Sequence, residues 1–190
     1  MRELAKISKE KLKQFYEHKA EVWDYCYLNY EVPDPFATHN SVLRKYWLDK
    51  MIDGVEGSTF VDVGCAGGLF VAQAALNRFQ YAVGVDISAT HFSKAKKRAR
   101  ERKVEGKTDF VVADAERLPF RDHSFSVVLS SETLEHVPHP KEAVTELARI
   151  SDKALVLSVP TTTSSLFARA FPDKARVRIK LEIGNFGEEG

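Results

Sequence analysis

The sequence predicts an α/β fold in which helices cover both faces of a doubly wound, mostly parallel sheet. Five short apolar runs rich in β-branched residues alternate with helix-like stretches along the chain, as buried strands do. Strands that alternate with helices are typical of a parallel sheet, because each crossover between parallel strands needs a connecting segment that covers one face. The predicted strands are residues 59–63, 81–85, 109–112, 126–130 and 154–159.

Three stretches between these runs have helical spacing. Residues 69–79 are rich in alanine and leucine, and residues 141–150 place apolar side chains on one face. Residues 88–103 form the most basic stretch, for which Ser88 is the predicted N-cap. Because its apolar residues share one face, we interpret the basic side chains as a solvated outer face; a nucleic-acid partner is not expected, although the sequence does not exclude one.

Composition favours one ordinary globular domain. The 190 residues carry a net charge of +1, which indicates neither a nucleic-acid nor a membrane partner. Two cysteines cannot build a disulfide framework, the charged N-terminus lacks the apolar core of a signal peptide, and no apolar run reaches the roughly 20 residues of a membrane span. We therefore expect a cytoplasmic protein with no metal site, of unknown oligomeric state. Residues 1–55 are rich in aromatic side chains and form a predicted N-terminal helical lid or cap region, and residues 56–190 form the core.

A glycine-rich loop follows the first predicted strand. Small residues from Gly64 to Gly68 allow a tight strand-to-helix turn that a ligand can approach closely. The N–H groups at the start of the next helix favour an anion, such as a nucleotide phosphate or the carboxylate of an amino-acid cofactor. The dinucleotide-binding pattern GxGxxG fails here, since Ala66 and Leu69 occupy two of its glycine positions.

Acidic and hydroxyl side chains follow the next strands. Asp86 ends the second strand, about 20 residues past the glycine loop, where an acid can hydrogen-bond ribose hydroxyls. Asp114 ends the third strand, and Ser130 and Ser131 end the fourth. Ligands of open parallel sheets bind at these carboxyl ends.

Two segments together resemble the class I methyltransferases that depend on S-adenosylmethionine (SAM). Residues 62–68 are similar to their motif D-x-G-x-G-x-G, with Ala66 in place of the middle glycine. The segment ADAERLPFRDHSFSVVLSSETLEHV resembles the type 11, ubiquinone/menaquinone-biosynthesis-like family, and the likeness covers about residues 59 to 160. It departs from the family at Phe125-Ser126 and at residues 151–153, which replace a Lys-Pro-Gly-Gly turn.

The resemblance implies a Rossmann-like core, SAM as cofactor and S-adenosylhomocysteine (SAH) as product. In this family the acid at the position of Asp114 reads the adenine amino group, and the backbone N–H of Ala115 meets a ring nitrogen. The family also has a C-terminal strand hairpin, which here is apparently truncated, since only residues 176–183 alternate as a further strand would. The implied cofactor-binding residues are Asp62, Gly64, Cys65, Ala66, Gly68, Asp86, Ile87, Asp114, Ala115, Ser130 and Ser131.

The expected function is methyl transfer from SAM to a small molecule, with lipid-like and quinone-like compounds as the candidate acceptors. Glu132 and His136 are the candidate bases, although Glu132 is equally suited to hold the cofactor or cap a helix, and His136 to pack at a helix start. Tyr16, Trp23 and Tyr25 are the candidate residues of a lid over the substrate. The alternatives are an RNA or protein methyltransferase of the same fold, a NAD(P)-dependent oxidoreductase, and a non-catalytic module that binds SAM.

Overall fold

The computed structural model describes residues 8–11, 13–15, 17, 50, 53, 55 and 57–159, together with the backbone of residues 179–182. Residues 9–11, 13–15, 17 and 50 are helical. The three predicted lid residues, Tyr16, Trp23 and Tyr25, lie outside the described residues, so their role stays a prediction.

In the described part of the chain, six strands form one sheet, with the order β3-β2-β1-β4-β5-β6. Strands β1 to β5 pair in parallel, and β6 pairs antiparallel with β5. The elements are β1 (Thr59–Val63), α1 (Leu69–Asn77), β2 (Tyr81–Asp86), α2 (Phe92–Glu101), β3 (Thr108–Val112), β4 (Phe125–Ser131), α3 (Pro140–Ile150), β5 (Ser151–Ser158) and β6 (Ile179–Glu182), with short 3-10 helices at Glu105–Lys107 and Leu134–His136. This architecture confirms the predicted fold class, and the reversal of strand order between β1 and β4 marks the edge where open α/β sheets bind ligands.

The sheet separates two apolar layers because successive strand residues point to opposite faces. Phe60 of β1 belongs to the layer that contains α1 and α2, with Ala72 and Ala99. Its neighbour Val61 belongs to the layer that contains α3, with Leu147. Because β1 is buried on both faces, its residues from Phe60 to Val63 are apolar with the exception of Asp62.

The ends of several elements differ from the sequence-based expectation. Helix α2 begins at Phe92, and Ser88 is not its N-cap; the prediction for Ser88 was wrong. Its backbone N–H instead donates to Asp86 Oδ1 at 3.0 Å, and its hydroxyl lies 2.9 Å from the Thr90 hydroxyl, so a turn separates β2 from α2. Strand β5 begins at Ser151, directly after α3, because no separate turn replaces the missing Lys-Pro-Gly-Gly sequence.

Within the described part of the chain, no helix combines the length and the apolar character needed to cross a membrane.

Candidate functional site

The glycine loop turns sharply after β1 and lies against the end of β2. The backbone N–H groups of Gly64 and Cys65 both donate to the carbonyl oxygen of Val85, at 2.8 and 2.9 Å. Gly64 and Gly68 have φ angles of 85° and 69°, in the left-handed region that glycine adopts without strain. Gly68 is the N-cap of α1, and no side chain among the described residues caps this helix. The helix therefore begins beside the loop with its N-terminus available to a ligand.

The carboxylate of Asp86 joins the loop to the turn that follows β2. Its Oδ2 accepts the N–H of Ala66 at 3.0 Å, and its Oδ1 accepts the N–H of Ser88 at 3.0 Å. Burial raises the pKa of Asp86, and the N–H groups of Ser88 and Ala66 and the nearby His91 only partly oppose that effect. Asp86 thus holds the loop in place and also brings an acidic group to the carboxyl edge of the sheet.

Asp62 is a second acid in the same region, and it is almost fully buried within β1. Burial, reinforced by the negative charge of Asp86, raises the pKa of Asp62 to about 8. At neutral pH Asp62 is therefore mostly protonated in the ligand-free protein. A cation bound nearby would favour its ionised form.

The third acid lies in the turn after β3. Asp114 Oδ1 accepts the N–H of Glu116 at 3.0 Å, and the carbonyl oxygen of Asp114 accepts the N–H of Arg117 at 2.9 Å, which closes a tight turn. Asp114 Oδ2 accepts the ammonium group of Lys9 at 2.5 Å. The turn is thereby tied to a residue of the N-terminal helical segment.

A clamp from α3 holds the Leu118-Pro119-Phe120 segment next to this turn. Glu146 accepts the N–H of Leu118 at 2.7 Å, and the Arg149 guanidinium donates to the carbonyl oxygens of Leu118 and Phe120. Arg149 also pairs with Glu146 and Asp122. These contacts fix the chain after Asp114, so the turn has a defined position at the sheet edge.

The carboxyl ends of β4 and β5 meet in a group of hydroxyls and one carboxylate. The Ser131 and Ser158 hydroxyls lie 2.8 Å apart, and the Ser158 hydroxyl donates to Glu132 Oε1 at 3.4 Å. The N–H of Glu132 donates to the carbonyl oxygen of Ser158 at 2.9 Å. Glu132 has a φ of 55°, a left-handed conformation that costs energy for a residue other than glycine.

Ser130 and His136 lie on either side of Glu132 in the chain, and they differ in exposure: Ser130 is buried, whereas the His136 side chain is 39% exposed. Ser130 is fully buried, and its hydroxyl donates to the carbonyl oxygen of Val63 at 3.0 Å, so it supports the end of β1 from within. His136 lies in the 3-10 helix after β4, where burial lowers its pKa, and its Nε2 is 3.6 Å from Glu135 Oε1. Glu132 is the candidate base that stands directly at the sheet edge.

The structure brings the sequence-predicted cofactor residues to one edge of the sheet, where the loop, Asp86 and Asp114 follow three adjacent strands. Two residues beside this edge were not predicted. The Thr133 hydroxyl lies 3.4 Å from the carbonyl oxygen of Val63, and the Ser158 hydroxyl takes part in the group described above. Ser158 could have been found from its place at the end of the fifth strand.

Cys65 packs under the loop, 5% exposed, and burial raises the pKa of its thiol well above its ordinary value. It therefore fills space beneath the backbone, and any ligand contact from this residue would come from its main chain. Among the described residues, no three His, Cys, Asp or Glu side chains are grouped as metal ligands.

Residues 61–154 match a family model described as a methyltransferase domain, that of the type 11 family. The chain is similar to a ubiquinone/menaquinone biosynthesis C-methyltransferase from Stutzerimonas stutzeri, with 34% identity over 89 residues that cover 45% of this chain and 35% of the relative. It is also similar to the 27-O-demethylrifamycin SV methyltransferase of Amycolatopsis mediterranei, with 32% identity over 94 residues, 50% of this chain and 35% of the relative.

Among solved structures, the fold resembles that of magnesium protoporphyrin IX methyltransferase from Synechocystis with bound SAH, with a TM-score of 0.68. That likeness has 18% sequence identity and covers 90% of this chain and 82% of the other. The chain spans less than half the length of the curated relatives it matches.

Proposed function

Because residues 61–154 belong to the methyltransferase domain family of type 11, we propose that this protein binds SAM and transfers its methyl group to a small-molecule acceptor. The observation that carries the proposal is the alignment of the glycine loop, Asp86 and Asp114 along the carboxyl ends of β1, β2 and β3. The family match supplies the cofactor, and the residues present fit that cofactor along this edge.

The three groups suit the three parts of SAM. The start of α1 presents backbone N–H groups to the carboxylate of the amino-acid end. Asp86 retains lone pairs for ribose hydroxyls beyond the two backbone N–H groups that it accepts. Asp114, after the next strand, can accept a hydrogen bond from the adenine amino group. Neighbouring strands are about 4.8 Å apart, so loop and Asp114 are separated by roughly 10 Å, a distance that an extended nucleoside bridges.

The residues after β4 and β5 provide the acceptor side of this proposal. SAM supplies a methyl group on a positively charged sulfur, so the protein's own task is to align a nucleophile and keep water away from it. The Ser131 and Ser158 hydroxyls can hold a polar acceptor atom, and Glu132 can take its proton when the nucleophile must lose one. An acceptor with a hydroxyl group matches this hydrogen-bonding set, and a lipid-like or quinone-like compound is one class to test.

Calorimetric titration of the chain with SAM and SAH tests the cofactor assignment. We expect micromolar binding by the wild-type chain, and about a tenfold loss of affinity in Asp114→Asn because the adenine amino group then meets an amide instead of a carboxylate. Asp109→Asn is the matched control, since Asp109 is an exposed acid of β3 that accepts a hydrogen bond from the Tyr81 hydroxyl.

The same titration separates the alternatives. Binding of NADH without SAM or SAH would contradict the proposal and favour an oxidoreductase. A strongly salt-dependent affinity for tRNA, together with SAM binding, would favour an RNA methyltransferase. SAM binding without methylation of any member of an acceptor panel that includes phenols, hydroxy acids, amines and quinols would favour a non-catalytic module.

A further inference from the structure

An ionic contact links the N-terminal helical segment to the turn after β3. The Lys9 ammonium lies 2.5 Å from Asp114 Oδ2 and 2.6 Å from Glu116 Oε2. The residues are more than 100 positions apart in the chain, so the contact holds two distant segments together. One of its carboxylates, Asp114, is the group that the proposed function assigns to adenine.

Glu116 makes this contact part of a larger network. Its side chain is only 6% exposed, and it accepts the backbone N–H of His139 at 2.9 Å while its Oε2 lies 3.0 Å from His139 Nδ1. Lys9 is therefore joined through Glu116 to the residue that precedes α3. Release of Lys9 would leave two neighbouring carboxylates, Asp114 and Glu116, without the cation that lies between them.

The pKa shifts agree with this geometry. Burial lowers the pKa of the Lys9 ammonium, but hydrogen bonds to Asp114 and Glu116 outweigh burial, and the net pKa is above its ordinary value. Burial raises the pKa of Glu116, but hydrogen bonds from Lys9 and His139 outweigh it, and the net pKa is below its ordinary value. Both groups are therefore charged at neutral pH.

The contact leaves room for a ligand at Asp114. An ionised carboxylate offers about four lone-pair sites, and here one oxygen accepts the Glu116 N–H and the other accepts Lys9. Lone pairs remain for an amino group, so Lys9 and adenine can bind the same carboxylate from different sides. Lys9 also fixes the carboxylate in one orientation, which lowers the entropy cost of binding.

We propose that Lys9 is a positioning residue for cofactor retention: its ion pair with Asp114 and Glu116 orients the adenine-reading carboxylate and holds the N-terminal helical segment (described at residues 8–11, 13–15 and 17) against that end of the site. This role rests on the proposed SAM binding. It predicts that the cofactor dissociates faster when Lys9 is replaced. It also predicts that added salt speeds cofactor dissociation from the wild-type chain, because salt screens the ion pair of Lys9.

The test compares SAH dissociation, measured by stopped-flow competition, for the wild-type chain and Lys9→Met. Methionine keeps the length and apolar stem of lysine but removes its charge. We expect SAH to dissociate about fivefold faster from the variant, because charge-assisted hydrogen bonds that are partly exposed to solvent contribute only modestly to binding. Added salt should speed dissociation from the wild-type chain more than from Lys9→Met, and Lys9→Arg should restore most of the wild-type rate.

Lys11→Met is the matched control, because Lys11 is an exposed lysine in the same helical segment. Hydrogen exchange gives a second readout: the amides of residues 8–11 and 114–117 should exchange faster in Lys9→Met than in Lys11→Met, while those of β1 stay unchanged. Equal dissociation rates for Lys9→Met and the wild-type chain, or tighter SAH binding by the variant, would overturn the role of Lys9 alone. Absence of SAH binding by the folded wild-type chain would overturn the proposed function as well.

Discussion

Replacement of Asp62 by asparagine should make the ligand-free protein more stable, and the gain should grow as the pH rises. Asp62 is 3% exposed near the carboxyl end of β1, and burial together with the charge of Asp86 raises its pKa to about 8. An unfolded chain ionises this carboxyl near 3.8, its ordinary value. Between these two values the folded state holds a proton that the unfolded state has lost.

The sign and size of the effect follow from proton linkage. Stability falls with rising pH wherever the folded state binds more protons than the unfolded state, at about 1.4 kcal/mol per pH unit for one proton. From about pH 5.5 to about pH 7.5, Asp62 should therefore cost the wild-type chain about 2.5 kcal/mol that Asp62→Asn does not lose. Asparagine has nearly the same shape as protonated aspartic acid, so packing of β1 changes little.

Urea unfolding at both pH values, followed by circular dichroism, measures the difference in the free energy of unfolding. Asp152→Asn serves as the control, because Asp152 is exposed on β5. The gap between Asp62→Asn and the wild-type chain should widen by about 2.5 kcal/mol, while that for Asp152→Asn should stay nearly constant. A gap that does not change with pH would refute the reasoning, because it would mean that Asp62 is ionised in the folded protein across this range.

Two further substitutions probe the backbone around the site. Gly84→Ala should destabilise the fold by about 1–3 kcal/mol, because a Cβ there would lie 2.7 Å from Cys65 Sγ and 2.7 Å from the Phe110 ring. Thermal unfolding measures the loss, and Gly106→Ala is the control because its Cβ meets nothing within 4 Å. Equal losses of stability in the two variants would contradict the steric account. Glu132→Gly should raise the free energy of unfolding by about 1 kcal/mol, because glycine adopts the left-handed φ of 55° without strain. The same variant should methylate a hydroxyl acceptor more slowly than the wild-type chain, with unchanged affinity for SAH. A lower free energy of unfolding would show that the contacts of the Glu132 side chain outweigh the backbone strain.

Local patterns were sufficient to place the strands and to predict that Asp86 and Asp114 lie along one edge of the sheet. Asp86 and Asp114 directly follow apolar runs, and a parallel sheet brings such positions to one edge whatever the details of the connections. Ser88 shows the limit of local preference. It has the chemistry of an N-cap, but the carboxylate two residues earlier takes its N–H and forms a turn, which delays the start of α2 to Phe92.

Contacts between segments that are distant in the chain could not be predicted from residue spacing or composition. The ion pair of Lys9 with Asp114 joins residues 105 positions apart, and Lys9 is one of many charged residues in a polar N-terminal stretch. Thr133 packs against Gly64, where an added Cβ would lie 2.1 Å from its hydroxyl oxygen, yet neither residue type predicts the other. Such pairs become visible only when the sheet places the ends of different strands side by side.

The positions of backbone strain support an active role for this edge of the sheet. Four described residues other than glycine have a positive φ, and two of them, Ala66 and Glu132, follow β1 and β4, the strands at which the sheet order reverses. Lys103 and His123 lie in turns that leave α2 and enter β4, where a left-handed residue is an ordinary way to reverse the chain. Ala66 and Glu132, in contrast, lie within three residues of the carboxyl ends of β1 and β4, at the edge where we propose that the cofactor binds. The buried acid Asp62 lies one residue before the end of β1. A left-handed residue other than glycine and a buried carboxyl group both lower the stability of the fold. Such costly features are commonly found together at functional sites, so their occurrence at one edge of the sheet favours a ligand-binding role for that edge.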